Sequence, residues 1–205
     1  MSIMKNDLRI QKTETAIENA FLELIEEKGF SNIQLMEIAK RANVNRNTIY
    51  IRYGAKEDII DAILNKSYKR IYNSLDIDKL VKTKYIKREI EKMFNALFNA
   101  IYSEIELYRI VLTDINLSGY IEKILKTVRK LICNGLKDTK DNEIIINYML
   151  NGVYGIIRLW IIYDNGTIEE NSKVLSSLVY SNIRKLSFRW KLWKILKIQF
   201  ILENT

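Results

Sequence analysis

An all-α fold is predicted by three features of this chain. It contains no proline and only seven glycines in 205 residues, so little in it stops a helix. Apolar residues recur at three- and four-residue spacing along most of its length, the period of one helix face. A hydrophobic fraction of 48% supplies a core for one or two domains, at roughly 100–200 residues per domain.

The elements follow in order. Residues 13–28 place Ala16, Ile17, Ala20, Phe21, Leu24 and Ile25 on one helical face. Gly29 suits a left-handed C-terminal cap, and Phe30 then packs back on that helix. A short helix from Leu35 to Ala42 turns Ile38, Ala39 and Ala42 inward. Asn43, which tolerates the left-handed region, closes it, and Val44 is a buried turn residue. The side-chain oxygen of Asn45 can cap a second short helix, Arg46–Arg52, with Ile49 toward the core. Tyr53, Gly54 and Ala55 break that helix. Lys56 leads into a longer one with Ile59, Ile60, Ile63 and Leu64 on its apolar face. Further helices are expected over 84–102, 104–113, 120–136, 142–164 and 168–186, with Gly119, Gly135 and Gly166 at junctions. The expected division is a domain at 1–56 and a second at 57–205.

Several function classes lose their usual chemistry here. Histidine is absent, which removes the commonest general base and the commonest metal ligand. No cysteine cluster, glycine-rich phosphate loop or nucleophile elbow takes its place. No enzyme, metal or cofactor is expected. The single cysteine, Cys133, permits no internal disulfide and reads as a small core residue in a reducing cytoplasm. No run of 18 uncharged apolar residues occurs, and the N-terminus lacks a signal-peptide core, so a membrane location is not expected.

The net charge of +8 is unevenly spread. Residues 1–60 hold as many acids as bases, whereas the last 22 are strongly basic. The local pattern is more telling. Lys40, Arg41, Arg46, Arg52 and Lys56 occur with no acid among them, after a first helix carrying Glu14, Glu18, Glu23, Glu26 and Glu27. Charge alone also fits a solvated helix face. The context favours more. Two short helices joined by a tight turn and propped by a longer one make a helix-turn-helix, whose second helix can enter a major groove. Its expected exposed set is Arg46, Asn47, Thr48, Tyr50, Ile51 and Arg52. Arginine can bridge two guanine acceptors, asparagine can pair with adenine, and isoleucine can touch a thymine methyl. Thr48, Tyr50 and Lys56 can bond phosphates, which positions the helix without reading sequence.

Residues 29–60, GFSNIQLMEIAKRANVNRNTIYIRYGAKEDII, resemble the DNA-binding signature of the TetR/AcrR family of transcription regulators. The matching positions are Gly29-Phe30, Ile38-Ala39, Ala42, Val44, Thr48-Ile49-Tyr50, Tyr53, Lys56-Glu57 and Ile60. The resemblance implies a three-helix DNA-binding domain followed by a helical ligand-binding and dimerisation domain. It implies a homodimer whose last two long helices form an intersubunit four-helix bundle, and an operator released when a small molecule binds. Repressor rather than activator follows from family habit. Carried onto matching positions, it makes Thr48, Tyr50 and Lys56 phosphate contacts and Asn45, Arg46, Asn47 and Ile51 candidate readers. Gln34 stands where the family usually has Thr or Ser; it is a poorer cap, although its amide can still reach a phosphate. The departure at Gln34 and the neutral N-terminal segment leave a second reading, a co-regulator acting through protein contacts.

The second domain is read more coarsely. Gly152 and Gly155 lie inside the expected 142–164 helix, where each costs about 1 kcal/mol relative to alanine. Close approach by a helix of a second copy would compensate, as would packing within one subunit. Tyr102, Tyr108, Asn151, Tyr154 and Arg158 are the polar groups that could line an inducer pocket, against the alternative of tyrosines packed in the core with a wet tip. Residues 187–205 alternate apolar and basic side chains and lie outside the resemblance. They read as an extension packed on the dimer, as a helix on an anionic membrane surface, or as a tail altered by a reading-frame change.

Overall fold

The computed structural model describes residues 2–75, 86–133 and 140–183, and among them finds nine α-helices, two 3₁₀ turns and no strand. Two compact units emerge. The first comprises residues up to Arg70 together with Thr113–Leu117; the second comprises Ile71–Leu112 and the residues from Ser118 on. The division after Arg70 lies beyond the expected 56/57 boundary. The reason is α4 (Lys56–Ser74), whose Ile59, Ile60, Ile63 and Leu64 are all buried and complete the first unit's core.

In the first unit, α1 runs from Ser2 to Lys28. It begins well before the expected residue 13, because no glycine or proline precedes the apolar pattern to stop it. Ile17, Ala20, Phe21, Leu24 and Ile25 are buried as their spacing requires. Gly29 ends the helix at φ 75°, and its N–H donates to the Ile25 carbonyl at 2.8 Å. Phe30 opens a 3₁₀ turn, Phe30–Asn32, and meets Phe21 edge-on with ring centroids 6.1 Å apart. Helix α2 spans Leu35–Arg41 and α3 spans Arg46–Arg52. Between them Asn43 takes the expected left-handed conformation at φ 53°.

In the second unit, α5 is Ile86–Tyr102, α6 Ile105–Thr113, α7 Ser118–Cys133, α8 Lys140–Tyr163 and α9 Ile168–Ile183. The most extensive packing is between α5 and α9. Ile90, Phe94, Phe98, Ile101, Tyr108, Trp160, Ile161, Leu175 and Val179 form its core, with Phe98 and Trp160 edge-on at 4.9 Å. Full burial of each large apolar side chain contributes roughly 1.5–3 kcal/mol. Gly166, at φ 82°, lies in the α8–α9 turn as expected, whereas Gly119 lies within the first turn of α7 rather than before it. Gly135, the Cys133 side chain and the tail 187–205 lie outside the described residues. Helix α8 is long and apolar enough to cross a membrane by length and composition, yet most of its apolar stretch is not buried within the chain.

Candidate nucleic-acid interface

Helix α3 owes its position to one capping residue and one anchor. Asn45 accepts a hydrogen bond from the Asn47 N–H at 2.8 Å, supplying an acceptor to an otherwise orphan donor of the first turn. Ile49 is completely buried and pins the helix to the core. The opposite face is open: Arg46, Asn47, Tyr50 and Ile51 are exposed, Ile51 at 84%. Thr48 is half-buried beside them. The Arg46 guanidinium lies over the Tyr50 ring, 5.4 Å from its centroid. Such an exposed cation–π contact is worth about 0.5–1 kcal/mol and restricts where the guanidinium points.

The acids of α1 explain why the unit is near neutral. Glu27 receives two hydrogen bonds from Arg41, at 2.7 and 2.8 Å, and Glu23 a longer one. Glu14 receives one from Arg52 at 2.8 Å, and Lys66 bridges Glu18 and Glu14. These pairs tie α1 to α2, α3 and α4. The bond from Arg41 holds the Glu27 carboxyl below its ordinary range, and Lys28 with the Gln34 N–H does the same for Glu37. Glu37 accepts from that N–H at 2.9 Å, which closes the start of α2, while the Gln34 side chain is exposed.

Two candidate contacts are engaged inside the unit. Arg52, expected on the exposed face, is turned back to Glu14 and is only 24% exposed. Lys56, expected at a phosphate, donates to the carbonyls of Phe30 (2.8 Å), Ser31 (3.0 Å) and Ile33 (3.3 Å). Its ammonium also lies 4.7 Å from the Phe30 ring centroid. An ammonium has three donors, and here all three meet carbonyl oxygens. The physical reason is the 3₁₀ turn, which aims its carbonyls at the start of α4.

Two acidic or phenolic groups near this frame are shifted. Burial pushes the Tyr53 phenol up to about 12, with Glu18 and Glu14 adding to the effect and Arg52 opposing it. The folded state therefore keeps Tyr53 protonated where the unfolded chain, near pH 10, has released its proton. Stability should fall as pH rises from 10 to 12, by up to roughly 2 kcal/mol from this group. In Tyr53→Phe that part of the alkaline decline in urea-unfolding free energy is expected to vanish; an identical decline in both chains would refute the assignment. Asp114 is pushed up by burial, but hydrogen bonds from the Phe30 N–H and from Asn116, with Lys56 nearby, outweigh this and hold it below its ordinary value.

The residues expected to line a ligand pocket separate. Tyr108 is buried in the second unit's core, whereas Tyr102 is 62% exposed with its ring tilted beside Trp160. Asn151 is exposed and its amide donates to the Asn147 carbonyl one turn back. Tyr154 and Arg158 are half-buried, one turn apart on α8. No group of His, Cys, Asp and Glu suited to a metal occurs among the described residues.

Sequence reasoning passed over Asp114, which lies 84 residues from the turn it binds. An isolated aspartate between two helices carries no signal of such a contact.

A family model described as bacterial regulatory proteins of the tetR family matches residues 18–63, and one described as a transcriptional regulator C-terminal region matches residues 88–191. The chain belongs to the TetR family. Among sequence relatives, an HTH-type transcriptional regulator of Bacillus subtilis (strain 168), YxbF, is 28% identical over 96 residues, which is 46% of this chain and 25% of that protein. The fatty acid metabolism regulator protein of the same organism is 30% identical over 119 residues, 54% of this chain and 59% of that one. The matches thus span a quarter and about three-fifths of those relatives. Among solved structures, a TetR-family regulator from Syntrophomonas wolfei superposes with a TM-score of 0.64 at 18% identity, over 87% of this chain and 99% of that one. A TetR-like regulator from Rhodococcus sp. RHA1 gives 0.59 at 12% identity, over 84% and 96%. The TetR fold therefore extends over both units, and the matched families are transcription regulators rather than enzymes.

Proposed function

We propose that this TetR-family protein is a one-component repressor of the cytoplasm that binds a palindromic operator as a homodimer and leaves it when a small molecule binds the second unit. The observation that carries the reading is the open face of α3. Arg46 and Asn47 offer hydrogen bonds to base edges, and Ile51 offers a methyl-sized apolar contact. Thr48, Tyr50 and Gln34 are the positioning contacts to phosphate. Asn45 acts mainly as the cap of that helix, Arg52 ties it to α1 through Glu14, and Lys56 holds the Phe30 turn.

The homodimer reading is supported by a face of the second unit that the described residues leave uncovered. Ile144, Tyr148, Leu159 and Tyr163 are exposed along α8, and Val174 and Leu178 along α9. On α8 these positions, with Gly152 and Gly155, follow steps of three and four residues, one helical face. A Cβ at either glycine would meet nothing within 4 Å among the described residues, so packing among these gives no reason for them. A helix of a second copy does. The same pairing accounts for the apolar character of α8 without a membrane.

The ligand is assigned to the second unit by family architecture. Tyr154 and Arg158 are its polar candidates, because Tyr108 belongs to the core and Tyr102 and Asn151 face outward. One relative is named as a regulator of fatty acid metabolism, which makes acyl compounds a reasonable first set of ligands to screen.

Selection of bound fragments from the organism's own genomic DNA tests the reading. Recovery of an inverted repeat is expected. Arg46→Ala should then flatten the preference at one base pair per half-site by about 1–3 kcal/mol. Fragments sharing no repeated element would refute operator recognition.

A further inference from the structure

Phe30 is the pivot between α1 and α2, and both polar groups of its main chain are held by side chains from distant parts of the chain. Its N–H donates to Asp114 Oδ2 at 2.8 Å, and its carbonyl accepts from Lys56 Nζ at 2.8 Å. The carboxylate itself is fixed, because Asp114 Oδ1 accepts from the Asn116 main-chain N–H at 2.9 Å and from its side-chain amide at 2.8 Å. The 3₁₀ turn Ile115–Leu117 packs against the turn Phe30–Asn32, and Leu117 is fully buried. Segment 113–117 is thus seated in the first unit by one carboxylate and one apolar anchor. The chain nevertheless enters it from α6 and leaves it into α7, which belong to the second unit.

We propose that Asp114 is a positioning residue for DNA binding, holding the Phe30 turn from which α2 starts and on which Lys56 anchors the start of α4. Those two helices flank α3 in sequence, and α2 packs directly on it. The Phe30 side chain is buried, and its main-chain donor needs an acceptor at that place. A buried N–H left without one is costly, so removing the carboxylate frees the turn, and with it the frame that aims α3. This inference rests on the DNA-reading function proposed above.

Hydrogen exchange and operator titration of the full-length wild type, Asp114→Ala and Asp114→Asn test it. In Asp114→Ala, exchange in the segment 29–34 should accelerate about tenfold, and the concentration needed to half-saturate the recovered operator fragment should rise by about the same factor. Exchange in α5 and α9 should not change. Asp114→Asn keeps an oxygen that can accept from the Phe30 N–H and should remain within about threefold of wild type by both measures. Wild-type operator affinity in Asp114→Ala, unaltered exchange at 29–34, or equal impairment in both variants would overturn the assignment. Failure of the wild type to bind any DNA would instead refute the proposed function, and exchange at 29–34 would still decide whether Asp114 holds the turn.

Discussion

Tyr148→Glu combined with Leu178→Glu should yield a folded monomer that binds operator at least about a hundredfold more weakly than the wild type. Tyr148 is largely exposed and Leu178 about half exposed in the isolated chain, at 64% and 47%, so a carboxylate at either position can stay hydrated in one copy. In a dimer joined through α8 and α9 they would be buried in an apolar interface. A buried unpaired carboxylate is far costlier than the packing it replaces. The loss in affinity follows from losing the second reading helix, since linking two modules raises avidity by about 10²–10⁴. Sedimentation equilibrium and operator titration give the two readouts, with helicity by circular dichroism as the control. A double variant that still sediments as a dimer would place the interface elsewhere.

Lys56→Met is expected to destabilise the first unit by about 2–4 kcal/mol, measured by urea unfolding. Three hydrogen bonds to a charged donor are lost, each worth about 1.5–3 kcal/mol at most, and part of the cost is recovered by hydration of the freed carbonyls. Methionine retains a similar stem length, so packing changes little. The same variant separates the brace from a phosphate contact. Losing one phosphate contact lowers the slope of log affinity against log salt by about 1. Lys56, held by three carbonyls, should leave that slope unchanged. A reduced slope with unchanged stability would return Lys56 to the DNA backbone.

Arg52 and Lys56 mark where the local sequence signals stop. The limits of α3 were legible to the residue, because a capping Asn45, an inward Ile49 and the breaker Gly54 are local signals. The left-handed Gly29 and Asn43 were legible for the same reason, and the second unit's helix ends that lie among the described residues fall within two residues of their expected limits; the expected ends at 84, 136 and 186 lie outside the described residues. The destinations of Arg52 and Lys56 were not. A long cationic side chain reaches whichever acceptor the tertiary fold brings near, here Glu14 on α1 and the carbonyls of the Phe30 turn. Of the expected exposed set, Thr48 and Arg52 are partly buried, Arg52 through its pair with Glu14. The unit boundary was displaced for a related reason, since α4 begins the second stretch of sequence yet packs into the first core.

Gly152 and Gly155 illustrate a different limit. Their cost inside a helix was evident from sequence, but whether the compensating neighbour lay in the same chain was not. The open space around both glycines among the described residues is the observation behind the second-copy contact proposed above. The five suggested pocket residues shared only polarity and an approximate location. Burial then separated Tyr108 from Tyr102, which no helical period over this short interval could have done.

Hydroxyl-radical footprinting of the wild-type protein on its recovered operator addresses the central claim most directly, that paired α3 helices occupy successive major grooves. Two protected patches should appear on one face of the duplex, their centres one helical turn of about 10–10.5 base pairs apart or a multiple of it, and Arg46→Ala should weaken both together. A single patch, or two patches on opposite faces of the duplex, would contradict it.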